Sequence, residues 1–180
     1  MARTIGIFCS ANDLEEKYTK PALEFARLMA QNGYSLVWGG SDTGLMNLVA
    51  SEVQNNGGKI IGVSVEHLKH LARKNADEMI ITKNLGERKS TYLSRSNAII
   101  VLVGGIGTFD EVTDVLENKK HGLLDIPVVV LNTDNFYEGF KNQLQRMQDE
   151  GFLTKPYAQQ IQFANTPQEA MAIINGAFGV

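Results

Sequence analysis

Short apolar, β-branched runs alternate with longer amphipathic segments from one end of the chain to the other. Residues 4–9, 35–38, 59–65, 78–82, 97–103, 127–131 and 161–164 have strand character. Several are apolar at successive positions, as in Ala98-Ile-Ile-Val-Leu-Val103, which is how strands read when both faces are covered. Between them, residues 20–31, 43–55, 88–95, 109–120, 136–150 and 167–177 read as helices. In the fifth of these, Phe136, Phe140, Leu144 and Met147 recur at the spacing of a buried helical stripe. Gly33, Gly57-Gly58 and Gly151 fall at helix ends, where a left-handed cap costs glycine little. Regular alternation of strand and helix predicts an α/β fold, a doubly wound parallel sheet of about seven strands flanked by helices. No Pro- or Ser-rich linker or repeat divides the chain, so one domain over residues 1–180 is expected. Its ligand belongs at the carboxyl ends of the strands.

A composition of 43% hydrophobic and 21% charged residues is that of an ordinary globular core. The net charge of −3 supplies no general field for a polyanion, which argues against nucleic acid as partner. The N-terminal apolar run is too short for a signal sequence, and no segment reaches the roughly 18 apolar residues of a membrane span. A soluble, cytoplasmic protein with no membrane partner is expected. The single cysteine, Cys9, excludes an internal disulfide and reads best as a small buried residue at a strand end.

Chemistry concentrates where the strand at 97–103 breaks into Gly104, Gly105 and Gly107 before an acidic helix. Such a turn lets backbone approach a ligand closely, and the helix that follows presents free N–H groups and the positive end of its dipole to an anion. Thr108 reads as the N-cap, with Glu111 three residues on completing a capping box. Glu111 is equally a carboxylate beside a phosphate site, so capping and catalysis both remain open. A second turn, Trp38-Gly-Gly-Ser-Asp-Thr-Gly-Leu-Met46, also follows a strand and opens a helix, and two such turns at one sheet edge can converge on one ligand. Neither has the Gly-Lys-Ser/Thr of a Walker loop, and residues 39–44 lack the dinucleotide spacing, so a redox cofactor is weakly supported. Arg88 and Lys89 fall at the start of a predicted helix, where cations oppose the dipole; that local conflict points to function. His67 and His70 lack a carboxylate at metal-ligand spacing and read as surface residues. Lys119-Lys-His121 suits a helix C-terminus, and Trp38 reads as strand packing before base stacking.

Taken in order, Phe8-Cys-Ser10, Trp38-Gly-Gly-Ser-Asp-Thr-Gly-Leu-Met46, Ile61-Gly-Val63, Glu87-Arg-Lys89 and Gly104-Gly-Ile-Gly-Thr-Phe-Asp-Glu111 resemble the LOG (Lonely Guy) family. Its members are cytokinin riboside 5′-monophosphate phosphoribohydrolases, often mislabelled lysine decarboxylases. The resemblance implies a Rossmann-like homodimer that needs no metal or redox cofactor. It implies hydrolysis of the N-glycosidic bond of a nucleoside 5′-monophosphate, AMP or an N6-modified adenine nucleotide, to free base and ribose 5-phosphate. On this chain Gly104, Gly105, Ile106, Gly107 and Thr108 would cradle the 5′-phosphate, and Asp110 and Glu111 would face the ribose. Arg88 and Glu111 would be the catalytic pair, with Lys89, Gly39, Gly40, Gly44 and Met46 as further substrate contacts. Cleavage builds positive charge on the ribose, which suits a fixed carboxylate. The chain departs from the signature Pro-Gly-Gly-x-Gly-Thr-x-x-Glu at Val103, and has Leu85-Gly86 in place of Met-His and Ser64-Val65 in place of Ile-Pro. Ala72 and Leu116 stand where the family has a substrate-contacting glutamate and threonine, which bears on the base pocket. A nucleotide-binding or sensor protein that keeps the cradle without turnover is the alternative. Lysine decarboxylation would need a pyridoxal-binding lysine and a ring-nitrogen partner, and no motif marks either.

Overall fold

The apolar runs assemble into one seven-stranded, all-parallel sheet in the order β4-β3-β2-β1-β5-β6-β7. The computed structural model describes residues 3–180; Met1 and Ala2, with which the N-terminal reading began, lie outside the described residues. The strands are β1 (Thr4–Phe8), β2 (Ser35–Trp38), β3 (Ile60–Val65), β4 (Glu78–Thr82), β5 (Ala98–Val101), β6 (Val128–Leu131) and β7 (Gln162–Ala164). The helices are α1 (Glu16–Gln31), α2 (Gly44–Asn55), α3 (Leu85–Ser94), α4 (Ile106–Lys120), α5 (Glu138–Asp149) and α6 (Pro167–Phe178).

Every residue of β2, β5 and β6 is buried, because the sheet is covered on both sides. Alternate strand residues feed two cores. Ile5, Ile7, Leu36, Trp38 and Ile100 meet the apolar faces of α1, α2 and α6, and Phe8, Val37, Ile99, Val101 and Val130 meet those of α3 and α4. Trp38 is fully buried, its indole N–H donating to the Ser41 carbonyl, so it packs as strand core. Cys9 is buried too, and burial pushes its thiol far above the ordinary range. Gly33, Gly57 and Gly151 take left-handed φ values of 77°, 78° and 81° at helix ends. Among the described residues, no helix is long and apolar enough to cross a membrane.

Two expectations are corrected here. Helix α1 starts at Glu16, a turn before residue 20, and runs through Pro21. Its extra turn is held by tertiary contacts that local sequence does not show: Lys17 pairs with Asp134 at 3.0 Å and the Tyr18 ring meets Phe136 edge-on. Of the stripe expected on α5 only Leu144 is buried: Phe136 lies before the helix, which starts at Glu138, and is 42% exposed, and Met147 is 36% exposed. Phe140, Leu144 and Met147 instead wall an open groove against α4, so the helical period marked an apolar face without marking what covers it. Two further corrections, at the starts of α3 and α4, belong to the site.

Candidate active site

The sheet order reverses direction at β1, which pairs with β2 on one side and β5 on the other. The crevice outside the carboxyl ends of β1 and β5 is therefore the place where loops diverge and a ligand fits. Main-chain bonds stitch three loops together there. Ser10 N–H donates to the Val103 carbonyl at 3.0 Å, the Ser10 carbonyl accepts from Met46 N–H at 3.1 Å, and the Asn12 carbonyl accepts from Leu45 N–H at 3.1 Å. Gly44 has a φ of 52° and its absent Cβ would fall 2.3 Å from the Ala11 carbonyl oxygen, so only glycine closes this junction.

That stitching separates the two glycine turns. In the first turn of α2 the N–H groups of Leu45 and Met46 are already spent on Asn12 and Ser10, which closes most of that N-terminus to an anion. At α4 the N-cap is Gly105, extended and without a side-chain cap. The N–H groups of Ile106, Gly107 and Thr108 have no hydrogen-bond partner among the described residues, and Gly105, Ile106 and Gly107 are exposed. Free donors and the helix dipole thus converge at this end. Thr108 is not the N-cap, and Glu111 forms no capping box. The helix begins two residues earlier, leaving Thr108 in its first turn, buried, with its hydroxyl folded back over Gly104. Glu111 is freed from the main chain.

One turn further along α4, the Glu111 carboxylate is buried and meets Arg88 of α3 at 2.8 Å. The Arg88 Nε also donates to the Val63 carbonyl in the C-terminal half of β3, at 2.9 Å. Burial raises the Glu111 pKa above its ordinary value, and the neighbouring Arg88 opposes that shift without cancelling it. Gly39 makes room for this arrangement, since a Cβ there would fall 2.5 Å from the Arg88 Nη2 and against the Met46 side chain. Lys89 does not point freely into the crevice. Its Nζ bridges Asp110 at 3.0 Å and Asp114 at 3.2 Å, and although burial pulls its pKa down, the two carboxylates together hold it above the ordinary value.

Arg88 is also not at the dipole's positive end. Helix α3 starts at Leu85, with Asn84 as a true N-cap accepting from Glu87 N–H and the Glu87 carboxylate accepting from Lys83 N–H. These two bonds cap the helix start, and Arg88 follows one turn in with its side chain turned toward the sheet. Below it, Tyr92 is fully buried, its one hydroxyl hydrogen shared between the carbonyls of Ile7 and Val37, tying β1 to β2 under the crevice. Sequence reasoning missed Tyr92, Asp114 and the Ser10–Asn12 stitch. Only the spacing of Tyr92 from Arg88, and of Asp114 from Asp110, each four residues along a helix, could have marked the first two.

The family model described as "possible lysine decarboxylase" matches residues 46–174. The cytokinin riboside 5′-monophosphate phosphoribohydrolase of Mycobacterium marinum is 33% identical over 154 residues, covering 84% of this chain and 82% of that protein. This chain belongs to the LOG family. The phosphoribohydrolase of the same name from Mycobacterium tuberculosis is 31% identical and covers 93% of this chain and 91% of its own length. Among solved structures, the Moco carrier protein from Chlamydomonas reinhardtii superposes with a TM-score of 0.76 at 25% identity, over 99% of both chains.

In this LOG chain the signature is folded as one unit. Val103, in the place of the family proline, is buried and gives its carbonyl to Ser10, so the loop is anchored by a hydrogen bond rather than by a ring. Ala72 forms an antiparallel bridge with Ser41, zipping the segment before β4 onto the second glycine turn beside Gly40. Leu116 lies elsewhere. It lines the groove of about 240 Å³ between α4 and α5 with Phe140, Leu144, Met147, Phe152 and Tyr157, and not the Arg88–Glu111 face. His67 and His70 are exposed on the 3-10 turn Glu66–Leu71.

Proposed function

We propose that this chain hydrolyses the N-glycosidic bond of a nucleoside 5′-monophosphate, AMP or an N6-modified adenine nucleotide, releasing the base and ribose 5-phosphate. One observation carries the reading: a helix N-terminus without a side-chain cap stands one turn, about 5 Å along the axis, from a buried Arg–Glu pair on the same crevice. A 5′-phosphate on the Ile106, Gly107 and Thr108 N–H groups would bring the ribose to Glu111. Gly104 and Gly105 would complete the cradle, and Asp110 would lie on the ribose side. Charge that develops on the ribose as the bond breaks is stabilised by the Glu111 carboxylate, which can also take a proton from the attacking water. Arg88 holds that carboxylate in place and favours its ionised form against burial. The names of the mycobacterial relatives support the same chemistry.

The resemblance also implies a homodimer, and the open apolar groove between α4 and α5 supports pairing with a second copy. Sedimentation at micromolar protein tests it. Likeness to the Moco carrier protein supports a second reading, a carrier that anchors a phosphorylated ligand at α4 without cleaving it. Base-release assays over a nucleotide panel, with wild type beside Arg88→Ala and Glu111→Ala, separate the two. Release of base from AMP that both variants lose supports the hydrolase. Stabilisation by AMP with no release from any nucleotide supports the carrier.

A further inference from the structure

Arg73 is a buried cation with no place in the reaction described above, being only 8% exposed. Its guanidinium sits in a polar cage built mostly by one face of α2. Nη1 donates to Asn47 Oδ1 at 2.7 Å and Ser51 Oγ at 3.0 Å, and Nη2 donates to Gln54 Oε1 at 2.8 Å. Nη1 also reaches Asp42 Oδ1, at 3.0 Å, and the Arg73 main-chain N–H donates to the Gly40 carbonyl at 2.9 Å. Two hydrogens on Nη1 thus serve three acceptors, while the Nε–H is buried with no partner. Burying a guanidinium under such terms is costly, and an apolar contact between α2 and this segment would hold the fold as well. What the cage adds is a carboxylate in a fixed position. Asp42 is gripped through Oδ1 yet its side chain stays 52% exposed, and its Oδ2 has no partner among the described residues.

Asp42 also stands at the right end of the site. It lies three residues after Gly39, where an added Cβ would meet the Arg88 guanidinium, so chain length alone keeps its Cα within about 11 Å of the glycine beside that group. The phosphate end of the crevice is at α4, beyond β5, and Arg88 reaches across to the Val63 carbonyl within the C-terminal half of β3. A nucleotide anchored at α4 with its ribose at Glu111 therefore extends its base over the 39–42 turn. We propose that Asp42 is a specificity-determining residue that accepts a hydrogen bond from an exocyclic amino group of the base, and that Arg73 is its positioning residue. A carboxylate only accepts, so it favours a 6-amino purine, including one alkylated on N6 that keeps one N–H, over a 6-oxo purine, which presents an acceptor.

This assignment rests on the nucleotide hydrolase reading, and the test keeps the two apart. The ratio of kcat/KM for AMP to that for IMP, and the ratio of their binding constants by calorimetry, are measured in wild type, Asp42→Asn and Arg73→Met. In Asp42→Asn, Arg73 holds the amide oxygen and turns the amide N–H groups toward the base, so the AMP preference is expected to fall about tenfold. Differences in leaving-group reactivity cancel when variants are compared. Arg73→Met is expected to lower the same ratio with Asp42 intact, mainly through KM for AMP; should it fail to fold, the half-exposed Asp42→Asn decides alone. A ratio within threefold of wild type in Asp42→Asn, including an equal loss for both nucleotides, overturns the proposal. No base release from either nucleotide, with the binding preference for AMP still lost in Asp42→Asn, overturns the hydrolase reading and upholds Asp42. Binding of neither nucleotide overturns both.

Discussion

Arg88 Nη1 lies 2.8 Å from Glu111 Oε1, with 13% and 9% of the two side chains exposed, so two residues 23 apart in sequence form one desolvated ion pair across α3 and α4. Such a pair is held by its geometry, and removing either member strands the other. Glu111→Gln keeps the shape and a hydrogen bond to Arg88. It is expected to lower base release from AMP by about 10²- to 10⁴-fold, the range of a lost acid–base group, with AMP affinity changed little. Arg88→Ala is expected to cost activity and also about 3–5 kcal/mol of stability. Single-turnover base release and urea unfolding check the two.

The pH dependence follows from the burial of Glu111. Because its pKa is raised above the ordinary 4.5, activity that needs the ionised carboxylate is expected to fall off on the acid side at a pH above 4.5. The acid limb should vanish in the residual activity of Glu111→Gln. Stability runs the other way. Between pH 4.5 and the raised value the native state binds more protons at Glu111 than the unfolded chain does, so this group makes the protein less stable as pH rises through that window. Urea midpoints across that range should show the slope in wild type and a shallower one in Glu111→Gln.

The two glycine turns should respond oppositely to a methyl group. Gly44 has a φ of 52° and Ala11 backbone 2.3 Å from the new Cβ, so Gly44→Ala is expected to destabilise the protein by more than about 1 kcal/mol. Gly107 lies inside α4, exposed, with nothing within 4 Å of an added Cβ. Gly107→Ala should therefore raise stability by up to about 1 kcal/mol through helix propensity, while weakening AMP at the open N-terminus. Thermal unfolding with and without AMP separates these effects.

Tyr92→Phe removes a buried hydroxyl that donates to two strand carbonyls and leaves them without it. A loss of about 1–3 kcal/mol is expected, read by urea unfolding. Base release should fall less than in Glu111→Gln, since Tyr92 supports the crevice floor from below.

The α/β architecture and the seven strands are legible in the sequence because each strand is a short local run whose apolar character survives any context. The helix starts are less legible. Thr108 has the chemistry of an N-cap and Glu111 the spacing of its partner, yet α4 begins upstream at Ile106, since no residue between Gly105 and Thr108 bars the helical conformation. The cap that does form, Asn84 accepting from Glu87 N–H, lies two residues beyond the end of β4 at Thr82 and starts α3 three residues before Arg88, where the basic pair draws attention first.

The order of glycines, Arg88 and Glu111 along the chain, read through the family resemblance, was enough to bring a phosphate turn and a carboxylate into one hypothesis. Periodicity and motif spacing are properties of neighbours, and neighbours are what a sequence records. Only the tertiary structure decided that the α2 N-terminus is closed while that of α4 is open, that Lys89 is held by Asp110 and Asp114, and that Arg73 grips Asp42. Each of these is an allocation of a donor to one acceptor among several, and the choice between Ser10, Val103 and Met46 depends on loops that meet only after the sheet has formed.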